Sequence, residues 1–304
     1  MKRDFVSIAD CDRATLEAYL AAGDELKRAH RAGRPEHCLA GQTVAMIFEK
    51  PTLRTRLSFE AGVTQLGGHA IYLTGADIGL GEREPVRDVA RIFSGMVQGV
   101  VARTFSHEAV EELARFATIP VVNALTDFSH PCQAMADLMT VREVFGKLAG
   151  LTVAFIGDGN NVARSLAVAC GRFGMTFRLA APDRHQLDAE FVARLARQCP
   201  GMDFSQWTDP RAAVAGAQVV YTDTWVSMGQ EDEKENRLAT FAAYQVNDAL
   251  LSAAPAEAIV MHCLPAYRGQ EITDAVMESD RSVVFQQAEN RLHFQKGLLK
   301  SLMA

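Results

Sequence analysis

The sequence predicts an α/β protein of two doubly wound parallel-sheet domains, residues 1–147 and 148–304, with a cleft between them. Three observations carry that reading. Short apolar runs of strand length alternate with segments of helical spacing, the pattern of a parallel sheet covered on both faces. The rhythm pauses and restarts around 146–150, and 304 residues suggest roughly two domains with ample core. Polar or glycine-rich loops follow the strands, at the edge where such sheets bind ligands.

Taken in order, residues 12–31 form a helix with Leu16, Tyr19, Leu20 and Leu26 on one side. Residues 43–48 are an apolar strand that Pro51 ends. Helical spacing begins at Leu53 and runs through Leu57, Ala61 and Leu66 to Gly67-Gly68, with Thr52 placed as the N-cap. Residues 70–73 read as a strand and 74–84 as a glycine-rich loop, after which Pro85 opens a helix over 86–98. Strands at 99–102 and 121–125 flank a helix at 107–116, and Pro131 starts a helix reaching Phe145. In the second half, strands at 152–156, 176–181, 219–222 and 258–261 alternate with helices at 161–173, 187–198, 210–216, 233–243 and 247–253. A short helix at 274–278, a strand at 283–285 and a helix at 287–303 complete the chain.

Composition excludes several classes. A net charge of −6, with no basic run or aromatic-basic stripe, argues against a nucleic-acid surface. No signal-like leader and no window of 18 apolar residues is present, so neither export nor a membrane span is expected. The six cysteines (11, 38, 132, 170, 199 and 263) are scattered, without C-x-x-C or zinc spacing. Reduced thiols in a cytoplasmic protein are the expectation.

The stretch at 43–60 is the pivot. It places Arg54, Thr55 and Arg56 in a helix's first turn, where free N–H groups and the dipole favour an anion. Cations there oppose the dipole, and a phosphate held by hydroxyls, N–H groups and a guanidinium fork explains them. Arg103 ends a strand, and His130 opens the helix after another, so both join Thr52–Thr55 at one sheet edge; Gln133 follows on the same helical face as His130. That set of donors suits a small ligand bearing a phosphate and a carbonyl oxygen.

In the second half, Gly157-Asp158-Gly159-Asn160-Asn161 follows a strand and opens a helix. It fits a dinucleotide fingerprint poorly, since Val162 stands at the third glycine position, although Asp183 keeps a nicotinamide oxidoreductase as an alternative. Asn161 suits the carboxylate of a zwitterion at least as well. Asp223 offers a carboxylate to an amino group, Ser227 a hydroxyl, and Cys263 is a thiol at a strand's end beside His262.

With those segments quoted, the chain resembles the transcarbamoylases, and within them the ornithine carbamoyltransferases. Phe-Glu-Lys-Pro-Thr-Leu-Arg-Thr-Arg at 48–56 resembles that family's Ser-x-Arg-Thr-Arg carbamoyl phosphate loop, and His130-Pro131-Cys132-Gln133 its second carbamoyl phosphate motif. Asp223-Thr224-Trp225-Val226-Ser227-Met228-Gly229 and His262-Cys263-Leu264-Pro265 resemble its ornithine-side motifs, and Gln287-Ala288-Glu289-Asn290-Arg291 its C-terminal signature. Five motifs in order over nearly the whole chain make a specific match.

The resemblance implies carbamoyl transfer from carbamoyl phosphate to L-ornithine without a cofactor or metal. It implies that Thr52, Leu53 (by its backbone), Arg54, Thr55 and Arg103 bind carbamoyl phosphate, with His130 and Gln133 at the carbamoyl end. Cys263 and Leu264 would lie by the δ-amino group and carbamoyl phosphate, Arg291 would reach the latter, and Asn161, Asp223, Ser227 and Met228 would bind ornithine. Cys263, Asp223, Arg103 and His130 are the catalytic candidates. A homotrimer or higher multiple with shared sites, and a last helix returning to the first domain, are implied too. This chain departs from the pattern at Thr52 (usually serine), at Gly79 (often a glutamine that reaches a neighbour's site) and at Tyr267 (commonly histidine). Arg83 is then the candidate interface cation. Transfer to aspartate, acetylornithine, succinylornithine or putrescine, and a non-catalytic binding module, are the competing readings.

Overall fold

Nine strands among the described residues form two all-parallel sheets, one in each of two units. The computed structural model describes all residues but Met1, Glu82, Ser227, Met228 and Gln230, and only the backbone of Glu231. One unit holds the residues up to Met139 together with Glu289–Ala304, the other Thr140–Ala288.

The first sheet contains β1 (Thr43–Phe48), β2 (His69–Thr74), β3 (Gly99–Arg103) and β4 (Val121–Leu125), in the order β2-β1-β3-β4. β3 is buried throughout and β1 in all but its first residue, which is why both read as unbroken apolar runs. β2, at the edge, is only half-buried. From β1 the chain passes to one side and then returns to β3 on the other, so the strand order reverses between them. Loops leaving the carboxyl ends of such a pair diverge and leave a crevice for a ligand. Phe48 pairs with Arg103 at that point. A register shift against β4 between Ala102 and Arg103 adds a bulge, the kind of irregularity that re-aims a side chain beside a site.

The second sheet runs β7-β6-β5-β8-β9, with β5 (Thr152–Ile156), β6 (Thr176–Ala180), β7 (Phe204–Trp207), β8 (Val219–Thr222) and β9 (Ile259–His262). Its reversal lies between β5 and β8. Ile156 pairs with Thr222, and Thr222 with His262, so the loops after β5, β8 and β9 open side by side. The Thr222 hydroxyl donates to the Ile156 carbonyl at 2.7 Å and ties the first two together.

Most predicted elements form within two residues of their expected bounds, and four points are corrected. The strand expected at 283–285 is the start of the helix Val284–Met303. The segment makes one isolated bridge at the sheet edge, Val260 N–H donating to the Arg281 carbonyl at 2.8 Å and Val283 N–H to the Val260 carbonyl at 3.0 Å, and the Val283 carbonyl then begins the helical ladder with Gln287. At the start of the helix Arg54–Gln65 the leucine stripe faces outward, Leu53 being 72% and Leu57 62% exposed, while Leu66 at its far end is buried. The buried face is Thr55, Ser58, Phe59, Gly62 and Val63, because the polar residues of this helix serve the interior. The helix expected from 187 begins at Ala189, where the Asp188 carboxylate caps it. Finally, β7 and the four-residue helix Gly75–Ile78 form where no element was expected; each is too short to show a period.

The C-terminal helix lies against the helix Arg13–Arg31 at glycine-glycine distance. A Cβ at Gly297 would stand 2.3 Å from the Gly23 backbone nitrogen, so the approach depends on both residues lacking side chains. Beside it, buried Lys27 donates to Asn290 Oδ1 at 2.6 Å. His293 is buried there too, and burial, with Lys27 and Lys296 nearby, pushes it down to about 4. The unfolded histidine binds its proton near pH 6.5. Between that value and about 4 the unfolded state therefore holds the extra proton, and stability falls as pH falls through this window. Thermal unfolding of His293→Gln is expected to lose less Tm between pH 7 and pH 4.5 than the parent; equal losses would contradict this.

Candidate active site

In the first unit, the Thr55 hydroxyl is the meeting point. Arg291 Nη2 donates to Thr55 Oγ1 at 2.8 Å and Arg103 Nη1 at 3.3 Å. All three residues are buried. Each comes from a different element: Thr55 from the first turn of the helix after β1, Arg103 from the end of β3, and Arg291 from the C-terminal helix, 236 residues away. Two buried guanidinium groups on one hydroxyl create a strongly positive site. Their field is visible at His130, whose pKa lies well below the ordinary value because of burial first, then Arg291 and Arg103. His130 is therefore a neutral imidazole at pH 7.

The surrounding predicted residues are arranged accordingly. The N-cap expected at Thr52 falls instead at Leu53, since the helix starts at Arg54, and Thr52 Oγ1 makes only a long 3.4 Å contact, accepting from the Thr55 N–H. The extra methyl of Thr52 leaves that oxygen in place. Gln133 donates through Nε2 to Asp137 Oδ1 at 2.8 Å. Its buried Oε1 has no hydrogen-bond partner among the described residues. An orphaned amide oxygen suits the N–H groups of a carbamoyl amide, so this position supplies an acceptor within a set read from sequence as donors. Lys50 was not singled out in the sequence. It pairs with Asp127 at 2.5 Å and so ties the turn after β1 to the loop after β4. Cys132 is core: burial pushes its thiol up to about 12.

In the second unit, Asp223 is the hub. The Cys263 thiol donates to Asp223 Oδ1 at 2.9 Å, the Thr224 N–H to the same oxygen at 2.8 Å, and Asn160 Nδ2 to Oδ2 at 2.8 Å. Asn160, which the sequence reading passed over for Asn161, also caps the helix Asn161–Phe173 by accepting from Val162 and Ala163. Its place as the last residue before a helix was the available signal. Asn161, the first helical residue, is partly buried. Ser227 and Met228 lie outside the described residues. Cys263 and Leu264, also expected at carbamoyl phosphate, belong to the second unit.

The Cys263 turn is braced from behind. Leu264 has φ 61°, a left-handed conformation that costs a branched residue about 1–3 kcal/mol. His262 holds it: Nδ1 accepts from the Leu264 N–H at 2.9 Å, which places the ring proton on Nε2, 3.1 Å from Glu271 Oε1. Glu271 also accepts from the Tyr267 N–H at 2.6 Å, while the Tyr267 side chain is 49% exposed. The change from histidine at this position therefore leaves the brace intact. Gln287 completes it, accepting from the His262 N–H at 2.9 Å and donating to Tyr221 Oη at 3.1 Å. Asp223, His262 and Cys263 bring ligand atoms within 4.8 Å of one another, but both ring nitrogens of His262 are committed to the brace.

Gly79, where family members often carry glutamine, has φ 58°. A Cβ there would stand 2.8 Å from that of Arg83, so in this chain the turn requires glycine. Arg83 itself is exposed.

Comparison with known proteins bears on both halves. Residues 3–143 match the family model described as the aspartate/ornithine carbamoyltransferase carbamoyl-P binding domain. Residues 149–302 match that of the Asp/Orn binding domain. The chain is 49% identical to the ornithine carbamoyltransferase of Anoxybacillus flavithermus, over 99% of this chain and 96% of that protein. It is 48% identical to that of Methanosarcina mazei over the full length of both. Among solved structures, ornithine carbamoyltransferase from Pyrococcus furiosus superposes with a TM-score of 0.96 at 44% identity, covering 99% of this chain and 97% of that one. The enzyme from Thermus thermophilus gives 0.89 at 43% identity over the whole of both chains. Two family models side by side and full-length relatives near one-half identity leave one assignment: the chain belongs to the aspartate/ornithine carbamoyltransferase family.

Proposed function

We propose that the protein transfers the carbamoyl group of carbamoyl phosphate to the δ-amino group of L-ornithine, giving L-citrulline and phosphate. The observation that carries this reading is the convergence of buried Arg103 and Arg291 on the Thr55 hydroxyl beside a neutral His130. That positive, donor-rich site matches a phosphate with an adjoining carbonyl. Thr52, the Leu53 backbone, Arg54, Thr55, Arg103 and Arg291 take the phosphate, and His130 and Gln133 the carbamoyl end.

Ornithine's δ-amino group resembles that of lysine, with an ordinary pKa of about 10.4, and only its neutral form attacks. The Asp223–Cys263 pair, in contact at 2.9 Å, supplies an acceptor for the proton that must leave. Asn160 fixes the second carboxylate oxygen, so the free direction of the pair is set by the protein. Attack on the carbamoyl carbon builds negative charge on its oxygen. Thr55, Arg103 and His130 stabilise that oxyanion, each such donor being worth about 3–4 kcal/mol. Phosphate then departs with its charge balanced by Arg54 and the helix N-terminus. Asn161, Ser227 and Met228 hold the α-amino acid end, and Cys263 and Leu264 border the reacting atoms. No cofactor takes part in these steps.

The same reading includes a homotrimer or higher multiple, with Arg83 as the interface cation. It is supported by Leu53 and Leu57, large apolar side chains exposed at the start of the phosphate-binding helix, which a second copy would cover. A cytoplasmic setting accords with six cysteines of which none forms a disulfide. Among the described residues no helix is long and apolar enough to cross a membrane.

The test is a panel of acceptors with carbamoyl phosphate: L-ornithine, L-aspartate, N-acetylornithine, N-succinylornithine and putrescine. Ornithine is expected to exceed every other acceptor in kcat/KM by about 10⁴-fold, the discrimination expected when a site's polar groups are left unpaired by the wrong substrate. Preference for another acceptor would overturn the ornithine half of the reading.

A further inference from the structure

Arg237 lies on the helix Lys234–Phe241, away from the groups assigned above, yet it is only 4% exposed. Its Nε donates to the Trp225 carbonyl at 2.5 Å. Its Nη2 donates to Asp158 Oδ2, and Nη1 stands 3.7 Å from Glu233 Oε2. The guanidinium also lies 5.4 Å from the centre of the Phe241 ring, which stacks on Trp225 at 5.9 Å and meets His185 at 4.7 Å. His185 Nδ1 in turn is 3.5 Å from the other Asp158 oxygen.

Asp158 belongs to the loop after β5 and Trp225 to the loop after β8. These are the two loops that diverge at the reversal of the sheet, and Asn160 and Asp223 join them a second time at 2.8 Å. A buried arginine is costly to desolvate, and an apolar side chain would pack this helix as well. What an apolar residue cannot do is hold two separate loops at a fixed spacing with one rigid fork.

We propose that Arg237 is a positioning residue for the acceptor amino acid. It clamps the loop after β8 to the loop after β5 and so sets where Asp223 stands. The inference rests on the ornithine reading of that loop. It predicts that breaking the clamp weakens acceptor binding while carbamoyl phosphate, held by the first unit, is bound as before.

The test compares the unaltered enzyme with Arg237→Gln, Arg237→Lys, Asp158→Asn and the double variant Arg237→Gln/Asp158→Asn. Arg237→Gln is expected to raise KM for ornithine about 10–100-fold, the scale of a lost charge-assisted hydrogen bond, and to leave the affinity for carbamoyl phosphate within about threefold. Arg237→Lys, which keeps the charge without the fork, is expected to fall between. The double variant is expected to be little worse than Arg237→Gln alone, because both changes cut one link. Amide hydrogen exchange without substrates is expected to rise in peptides spanning 157–161 and 222–226 and to stay level elsewhere in the second unit. Equal changes for both substrates, exchange rising throughout the unit with a lower Tm, or no change in either loop would overturn the clamp. Because exchange is read without an acceptor, it judges the clamp even if the acceptor proves not to be ornithine. Failure of the unaltered enzyme to make citrulline would overturn the ornithine reading instead.

Discussion

Arg103→Ala is expected to lower citrulline formation by about 10²–10³-fold, the cost of removing one preorganised oxyanion donor, while the protein remains folded. Arg103 ends β3 at the reversal of the first sheet, is buried, and donates to Thr55. Its loss removes a charge-assisted contact to the phosphate side and one of the two cations that hold down the His130 pKa. The sign of the second effect is fixed: taking away a neighbouring positive charge favours the imidazolium, so the His130 pKa rises. In the variant, kcat/KM for carbamoyl phosphate should therefore begin to fall at a higher pH on the acid side than in the parent. Arg103→Lys should recover part of the rate, since it restores the charge but not the fork. Near-normal turnover by Arg103→Ala, with circular dichroism and Tm unchanged, would remove the phosphate-site argument.

The second large effect belongs to Asp223→Asn, expected to cost about 10²–10⁴ in turnover, the range for loss of a positioned general base. The substitution keeps an oxygen for the Cys263 thiol and the Thr224 N–H but sets an amide NH2 against Asn160 Nδ2, so the negative charge and the Asn160 contact are lost together. Cys263→Ser should cost less, because a hydroxyl can still donate to Asp223. Both should impair the use of ornithine far more than binding of carbamoyl phosphate, which isothermal titration with each ligand separates. Equal loss of both affinities would make the pair structural.

The sheet edge proposed to take the phosphate was largely legible in the sequence. Thr52, Thr55 and Arg103 follow from one rule, that loops at the carboxyl ends of parallel strands share an edge, and the strands around them are apolar enough to be recognised. Arg291 was legible only through resemblance to a family, because nothing local in a polar stretch of helix says that it returns to Thr55 across 236 residues. Of the braces behind the second hub only Asn160 left a signal, as the last residue before a helix. Glu271 and Gln287 are ordinary polar residues until the fold aims them at His262 and the Cys263 turn. The outward face of Leu53 and Leu57 escaped for the opposite reason. Periodicity reports which residues share a face, and it does not report whether that face meets the core or another surface.

Carbamoyl phosphate labelled with ¹³C at the carbonyl, mixed with L-ornithine and the unaltered protein, tests the central claim most directly. The account predicts that the label moves into the ureido carbon of citrulline, with one phosphate released for each citrulline formed, and that Arg103→Ala and Asp223→Asn each suppress both signals together. Binding of carbamoyl phosphate or ornithine without movement of the label would contradict it and leave a protein that holds these ligands without joining them.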